Sequence, residues 1–386
     1  MKKKIAVLGS TGSIGKSLLN LVKNDKKNID VVLLTANTNY NELIKQAKTF
    51  KVKNLIITNQ KSFLIAQQLL KNTKINLFNN FDDLNKIFNN KIDYVMSSIV
   101  GLAGLYPTSI IIRHTKKIAI ANKESIICGW NILKKKLLRY KTEFIPVDSE
   151  HFSIWYAIKN NSDIIHKIYL TASGGPFLNI PKSKLKNIKV SQATNHPNWK
   201  MGKKISIDSA TMMNKVFEII EAKKIFNIDY RKLNILTHPS SYLHAIIKYK
   251  NGMSKLIVHD TDMRIPIFNT FYDYKNKFKS YEKEINFEKL NKLELKKIDN
   301  FFFPLVRLLD FMPKNDSLYE TAIVSTNDEL VNQFLKKKIK FSDIEKKLIK
   351  LANSSEFVKL KKIKPKNIND IIKLDNYVRL KLSKKV

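Results

Sequence analysis

A short apolar run, Ile5-Ala6-Val7-Leu8, passes without a spacer into Gly9-Ser10-Thr11-Gly12-Ser13-Ile14-Gly15, and helical periodicity over Ile14–Val22 follows. A strand, a glycine-rich turn and a helix in that order leave few options. The glycines permit a tight turn and close backbone approach, and the helix N-terminus attracts a pyrophosphate. The loop therefore predicts a dinucleotide site at the head of a parallel sheet. Val31–Thr35, Asn54–Thr58, Tyr94–Ile99, Lys117–Ala121 and Phe144–Val147 read as further strands, with helical stretches such as Asn41–Thr49 between them. This alternation is that of a Rossmann-like α/β domain. Such sheets bind ligands at the carboxyl ends of their strands.

The end of the second strand chooses between cofactors. NAD sites place an acid there to bind the ribose hydroxyls. Here the segment is Thr35-Ala36-Asn37-Thr38-Asn39. Amides and a hydroxyl tolerate a 2′-phosphate that a carboxylate would repel, so the expected cofactor is NADPH. Ala121-Asn122-Lys123-Glu124-Ser125 follows another strand of the sheet, where the nicotinamide end should reach.

Two segments offer a metal site. Asp148 and Glu150 lie in Pro146-Val147-Asp148-Ser149-Glu150-His151; in extended chain their side chains share one face. Asn214, Lys215 and Glu218 share one face of a helix expected around Ala210–Ile225. Three carboxylates suit a hard divalent cation, Mg²⁺ or Mn²⁺. Ser173 and Ser209 sit in small-residue contexts, the second before the expected helix, a favourable place for an anion. Lys215 and His196 can supply charge-assisted contacts to a phosphate. Trp199, on the polar loop Asn195–Lys203, suits a lid that excludes water. His151, His238, His244 and His259 lack a metal-ligand spacing and Cys128 lacks an obvious base; packing is expected for all five.

The chain carries 70 basic against 33 acidic residues, a net charge of +37. Nucleic-acid binding is not expected from this. The cations are overwhelmingly Lys and are spread over the whole chain, and Lys, Asn and Ile together are what an A+T-rich genome encodes. A positive field would still steer anionic substrates. No apolar run approaches the ~18–20 residues of a membrane span, and the lone Cys128 fits a reducing, cytoplasmic compartment. The expected organisation is a cofactor domain at 1–148, an α+β catalytic domain with a flap at 149–274, a linker at 275–298 and a helical bundle at 299–386. Strands are expected at Ile168–Thr171, Leu233–Leu236, Ala245–Tyr249 and Lys255–Val258. Helices are expected at Phe301–Phe311, Leu318–Leu335, Ile344–Ala352 and Ile368–Leu382.

These motifs, in this order, resemble the 1-deoxy-D-xylulose 5-phosphate reductoisomerase family. The match takes in the glycine loop, Ala121–Ser125, Val147–His151, Ser173-Gly174-Gly175-Pro176-Phe177, His196-Pro197-Asn198-Trp199, Asp208–Lys215 and Asp262-Met263-Arg264. The resemblance implies a homodimeric enzyme of the non-mevalonate isoprenoid pathway. It would use NADPH and one divalent cation (Mg²⁺ or Mn²⁺, with Co²⁺ a further option). It would convert a phosphorylated sugar, 1-deoxy-D-xylulose 5-phosphate, into 2-C-methyl-D-erythritol 4-phosphate by skeletal rearrangement and then reduction. Carried over, Asp148, Glu150 and Glu218 hold the metal. Ser173, His196, Ser209 and Asn214 bind the phosphate end, Ser149 and Lys215 meet the oxygens of the reacting carbons, and Lys123 lies between cofactor and substrate. Thr11, Gly12, Ser13, Ile14, Asn37, Thr38, Asn39, Asn122, Glu124 and Gly202 contact NADPH, and Trp199 rides on the closing flap. The chain departs from the family pattern at Asn37 and Thr38 (a Gly and a basic residue), Val216 (Gly) and Ser240 (Gln). The alternatives are another NADP-dependent dehydrogenase of a phosphorylated or acidic metabolite, and a basic binding protein without catalysis.

Overall fold

A computed structural model describes residues 2–159, 163–199, 201–272 and 284–384, which divide into two compact units. The first is built from Met1–Ser125, Asn131–Asp148 and Met263–Lys279. It holds seven strands, β1 (Lys3–Leu8), β2 (Ile29–Ala36), β3 (Asn54–Ile57), β4 (Asn76–Phe78), β5 (Ile92–Ser97), β6 (Thr115–Ile120) and β7 (Glu143–Pro146), in one sheet of order β4-β3-β2-β1-β5-β6-β7. Every pairing is parallel. Both faces of β1 are buried, Ile5 through Leu8 having no exposed surface, as expected of a strand covered on both sides. The order reverses between β1 and β5, the switch point at which such sheets bind ligands. The loops after β1 and β5 press together there: a Cβ on Gly9, whose φ is +77°, would stand 2.9 Å from the Ser98 carbonyl.

Six of these strands fall where the sequence places them; β4, three residues with no alternating pattern, went unforeseen. The helix Arg264–Phe271 also belongs to this unit, although the sequence reading gave it to the second domain. Its apolar face explains the placement: Ile267 and Phe271 are buried with the β1–β5 core, the Phe271 ring meets Tyr94 edge-on at 5.0 Å, and the Tyr94 hydroxyl lies 2.8 Å from Thr270 Oγ1.

The second unit contains Ile126–Trp130, Ser149–Asp262 and Ser280–Val386. Its strands are β8 (Ile165–Ala172), β9 (Leu233–Thr237), β10 (Leu243–Tyr249), β11 (Ser254–Val258) and β12 (Lys296–Lys297), in the order β11-β10-β8-β9-β12. The helices Ser149–Ile158 and Met213–Phe226 pack against this sheet. In the stretch read as a linker, residues 275–283 lie outside the described residues. The remainder carries a short helix, Phe287–Asn291, and β12, which pairs with β9. C-terminally, Leu318–Leu335 is a central buried helix with Phe341–Ala352, Ser355–Leu360 and Ile368–Ser383 around it. The Phe301–Phe311 region is a 3₁₀ helix over Pro304–Phe311 rather than an α-helix. Among the described residues no helix is long and apolar enough to cross a membrane.

The glycine loop is sterically committed. A Cβ on Gly15 would lie 2.6 Å from both the Gly9 carbonyl oxygen and Ser10 Cα, neither of which can swing away. Gly15→Ala should lower stability by about 1–3 kcal/mol, measured by urea unfolding, whereas Gly12→Ala, whose Cβ meets only the Gly9 oxygen at 3.4 Å, should cost much less.

Candidate active site

In the first unit, the helix Ser13–Val22 starts at Gly12 with no side-chain cap and no acid in its first turn. Its leading N–H groups are thus left for an anion. Thr35 shapes the turn, accepting from Gly9 N at Oγ1 (2.9 Å) and from Ser10 N at its carbonyl (2.9 Å). Of the sequence-chosen residues at the β2 end, Asn37 Oδ1 accepts from Thr58 Oγ1 at 3.1 Å and Asn39 caps the next helix through Glu42 N. Asn122 has a structural duty as well. Its Oδ1 accepts from Ser125 N at 2.6 Å, capping the helix Lys123–Arg139, and its Nδ2 donates to the carbonyls of Ile99 and Gly101. It therefore binds the loop after β5 to the loop after β6. Lys123 and Asp148, both largely buried, form an ion pair at 3.2 Å at the carboxyl edge of the sheet.

The extended-chain argument for Asp148 and Glu150 is corrected by the structure. Ser149 opens a helix, Ser149–Ile158, so Asp148 immediately precedes the helix and Glu150 occupies its first turn. Carboxylates at a helix N-terminus are favoured by the backbone dipole, and this, not strand alternation, explains the spacing.

In the second unit the face shared by Asn214, Lys215 and Glu218 is present. Asn214 Nδ2 donates to Glu218 Oε1, and Lys215 Nζ donates to Glu218 Oε2 and, at 2.6 Å, to Glu150 Oε1. Glu150 and Glu218 offer oxygens within 4.8 Å of each other. Lys215 is almost fully buried. Burial alone would lower its pKa, but the two carboxylates overcome this and raise it. As far as the lysine's own titration goes, the pairing is intact below its ordinary range and is lost as pH rises into alkali; in acid it ends instead when the carboxylates take up protons. The lysine ammonium stands where a cation serving both carboxylates would stand, and an all-oxygen set suits a hard divalent ion.

His151, expected only to pack, and Glu221 support this cluster. His151 Nε2 donates to the Glu218 carbonyl at 2.9 Å, and Nδ1 faces Glu221 at 3.5 Å. Glu221 follows Glu218 by three residues and so lies near the same helix stripe.

Ser209 is also placed differently. The helix foreseen at Ala210–Ile225 is two helices, Lys203–Ala210 and Met213–Phe226, broken at Met212 with φ +64°. Ser209 lies in the last turn of the first, so helix-dipole attraction for an anion does not apply to it. Contact geometry places it instead: a Cβ on Gly175, φ +68°, would lie 2.9 Å from the Ser209 carbonyl, so only glycine lets the Ser173 loop come this close. His196 Nε2 lies 2.9 Å from Ser173 Oγ. His196 Nδ1 accepts from the backbone N–H of Asn198 (3.1 Å) and Trp199 (3.0 Å). The proton is therefore on Nε2, and burial lowers the pKa to about 4. His196 is a neutral donor, not the cation the sequence reading supposed. Trp199 packs edge-on to His244 at 6.2 Å, and Asn198 Nδ2 donates to Ser241 Oγ at 3.1 Å, so the loop rests on the turn before β10. Lys200, in this loop, lies outside the described residues. Gly202 caps the helix Lys203–Ala210, with open space where a Cβ would be. The remaining histidines pack as expected: His238 Nε2 meets Ser240 Oγ at 2.9 Å, and His244 and His259 stack at 3.6 Å.

Fold and site together define a dinucleotide-fold oxidoreductase with a buried acidic centre. Models of the 1-deoxy-D-xylulose 5-phosphate reductoisomerase family match residues 5–129, with its C-terminal domains at 144–226 and 259–381. The chain is 61% identical over 384 residues to the 1-deoxy-D-xylulose 5-phosphate reductoisomerase of Pelagibacter ubique (strain HTCC1062), covering 99% of each chain. It is 39% identical over 345 residues to that of Wolbachia sp. subsp. Drosophila simulans (strain wRi), covering 89% of this chain and 88% of the other. It is similar to the solved Zymomonas mobilis enzyme in complex with NADPH (31% identity, TM-score 0.86, 98% of each chain). A DOX-P reductoisomerase complex with NADPH, fosmidomycin and magnesium superposes with TM-score 0.91 at 28% identity, covering 99% of this chain and 98% of that one. The chain belongs to the 1-deoxy-D-xylulose 5-phosphate reductoisomerase family.

Two expectations follow. Lys215→Met leaves the buried Glu218 and the partly buried Glu150 uncompensated; metal-free protein should lose about 3–5 kcal/mol at neutral pH, and calorimetry should show much of this recovered by acidification or added Mg²⁺. His196 has a folded pKa below its unfolded value of about 6.5, so it takes stability away as pH falls from there towards 4. Relative to His196→Gln, the wild type should weaken by on the order of 1–2 kcal/mol across that window, read by urea titration at each pH.

Proposed function

We propose that this chain converts 1-deoxy-D-xylulose 5-phosphate into 2-C-methyl-D-erythritol 4-phosphate using NADPH and a divalent cation, Mg²⁺ or Mn²⁺. The observation that carries the reading is a pair of carboxylates, the partly buried Glu150 and the buried Glu218, closed on one cationic atom, Lys215 Nζ. Asp148, two residues before Glu150, would join Glu150 and Glu218 in holding the cation. When bound, the cation supplies Lewis acidity towards the substrate's oxygens and NADPH supplies a hydride.

The chain's own residues bind, orient and shield. Thr11, Gly12, Ser13 and Ile14 present the uncapped helix start to the pyrophosphate of NADPH. Asn37, Thr38 and Asn39 receive the 2′-phosphate end without repelling it. Asn122, Lys123, Glu124 and Gly202 complete the cofactor contacts. Ser173, Ser209, Asn214 and the Nε2–H of His196 hold the substrate phosphate. Neutral donors suit this task because His196 keeps its form over the physiological pH range. Ser149 and Lys215 address the oxygens of the reacting carbons. Lys215 must loosen its hold on Glu150 and Glu218 when a cation takes its place, which frees its ammonium for substrate oxygen. The Trp199 loop closes over the site and keeps water out. We further propose a cytoplasmic homodimer serving the non-mevalonate isoprenoid pathway. Its three working parts are the cofactor segment 1–148 together with the helix Arg264–Phe271, the catalytic segment 149–262 and the helical segment 299–386.

The test uses metal-stripped protein with 1-deoxy-D-xylulose 5-phosphate and NADPH. Nicotinamide absorbance should fall only after Mg²⁺ or Mn²⁺ is added, and the product should be the branched methylerythritol phosphate. An unrearranged, reduced sugar would instead point to an ordinary dehydrogenase. Glu218→Gln should cut turnover by more than about 100-fold, beyond the loss typical of a residue that only supports a ligand; near-wild-type turnover by the folded variant would remove Glu218 from the metal set.

A further inference from the structure

We infer that Asn327 and Asp208 are positioning residues for the substrate phosphate, through which the C-terminal helices set the placement of Ser209; this rests on the phosphate role proposed above for Ser209. Asp208 directly precedes Ser209 in the last turn of the helix Lys203–Ala210 and is 2% exposed. Its Oδ1 accepts from Asn327 Nδ2 at 2.8 Å. Asn327 stands in the middle of the helix Leu318–Leu335 and has no exposed surface. Its other polar atom, Oδ1, has no hydrogen-bond partner among the described residues. A buried amide with an unpaired oxygen is a poor choice for packing alone. Its use is directional: a single hydrogen bond, aimed at Asp208.

The same carboxylate is held from a second side. Lys204 Nζ lies 2.8 Å from Asp208 Oδ2 and 3.0 Å from Asp328 Oδ1. Asp328 in turn pairs at 3.2 Å with Arg379 of the helix Ile368–Ser383, and Arg379 pairs with Asp375 at 2.8 Å. Charge alternates along this chain from the Ser209 helix to the last helix of the protein. Asp208 is thereby fixed in rotation as well as in distance. The tolerance at Ser209 is small, because its carbonyl is already pressed against Gly175 beside the Ser173 loop. A shift of a few tenths of an ångström would separate the two hydroxyls meant to share one phosphate.

The experiment compares the wild type with Asn327→Leu, Ser209→Ala and the reciprocal exchange Asp208→Asn with Asn327→Asp. KM for 1-deoxy-D-xylulose 5-phosphate, kcat, the affinity for inorganic phosphate by calorimetric titration, and the melting temperature are measured for each. Asn327→Leu should raise KM and weaken inorganic phosphate by about tenfold, the effect of misplacing roughly one hydrogen bond to a charged group. It should leave kcat within about twofold, and a lower melting temperature with unchanged phosphate affinity would mark a merely structural role and overturn the inference. The exchange, which rebuilds the bond with donor and acceptor swapped, should restore phosphate affinity. Should Asn327→Leu fail to fold, Asn327→Ser takes its place. Weakened phosphate binding in Ser209→Ala with none in the Asn327 variant would overturn the inference. No effect in Ser209→Ala would instead remove the phosphate role of Ser209, and the inference with it.

Discussion

Two carboxylates within 4.8 Å of each other, Glu218 buried and Glu150 partly so, repel strongly. At about 4 Å the cost is roughly 4 kcal/mol even at an effective dielectric of 20. Lys215 turns that repulsion into attraction, and the surrounding fold follows from what this requires. The helix Met213–Phe226 must put Asn214, Lys215 and Glu218 on one face. The helix Ser149–Ile158 must deliver Glu150 from its first turn, and His151 must tie the Glu218 backbone to that helix. The cost of starting the first of these helices is visible at Met212, where a non-glycine residue adopts a left-handed conformation worth about 1–2 kcal/mol of strain. That kink lets Ser209 lie in the last turn of one helix while Asn214 lies in the first turn of the next, so residues close in sequence point from separate elements.

Lys215 satisfies both carboxylates and keeps the cluster assembled. In the function proposed above, a bound cation would take the lysine's place and free its ammonium for substrate, and an already assembled cluster would limit the reorganisation that binding must drive. His196 contributes in the opposite manner. Its two backbone donors and its burial keep it uncharged, so Ser173 meets a directed N–H rather than a buried charge.

Much of this was legible in the chain. The glycine loop, six of seven parallel strands and the Asn214-Lys215-Glu218 face follow from local patterns with a single physical cause each. What escaped notice depended on partners distant in sequence or on backbone atoms. β4 is too short to show alternation. The Asp148–Glu150 pair was read as extended because nothing in the two residues reveals the helix that starts between them. The neutral state of His196 depends on the N–H groups of Asn198 and Trp199, which no side-chain pattern displays. Asp208 and Asn327 lie 119 residues apart, and an interior asparagine looks like any other in an Asn-rich chain.

The abundance of lysine shows where composition stops being informative. With a net charge of +37, no single lysine stands out by type. Burial separates them. Among the described residues the buried lysines are Lys123, Lys215 and Lys224. Each meets carboxylate: Lys123 with Asp148, Lys215 with Glu150 and Glu218, Lys224 with Asp316 and Glu320. A buried ammonium is tolerated only when paired, so these three positions are fixed by physics, whereas exposed lysines answer to little beyond solubility. Two of the three pair with the acids assigned to the metal. The third, Lys224, two turns further along the helix that carries Lys215, joins it to Glu320 of the central C-terminal helix. The same helix thus presents one lysine to Glu150 and Glu218 and another to the C-terminal helices, each at a position where burial demands a carboxylate.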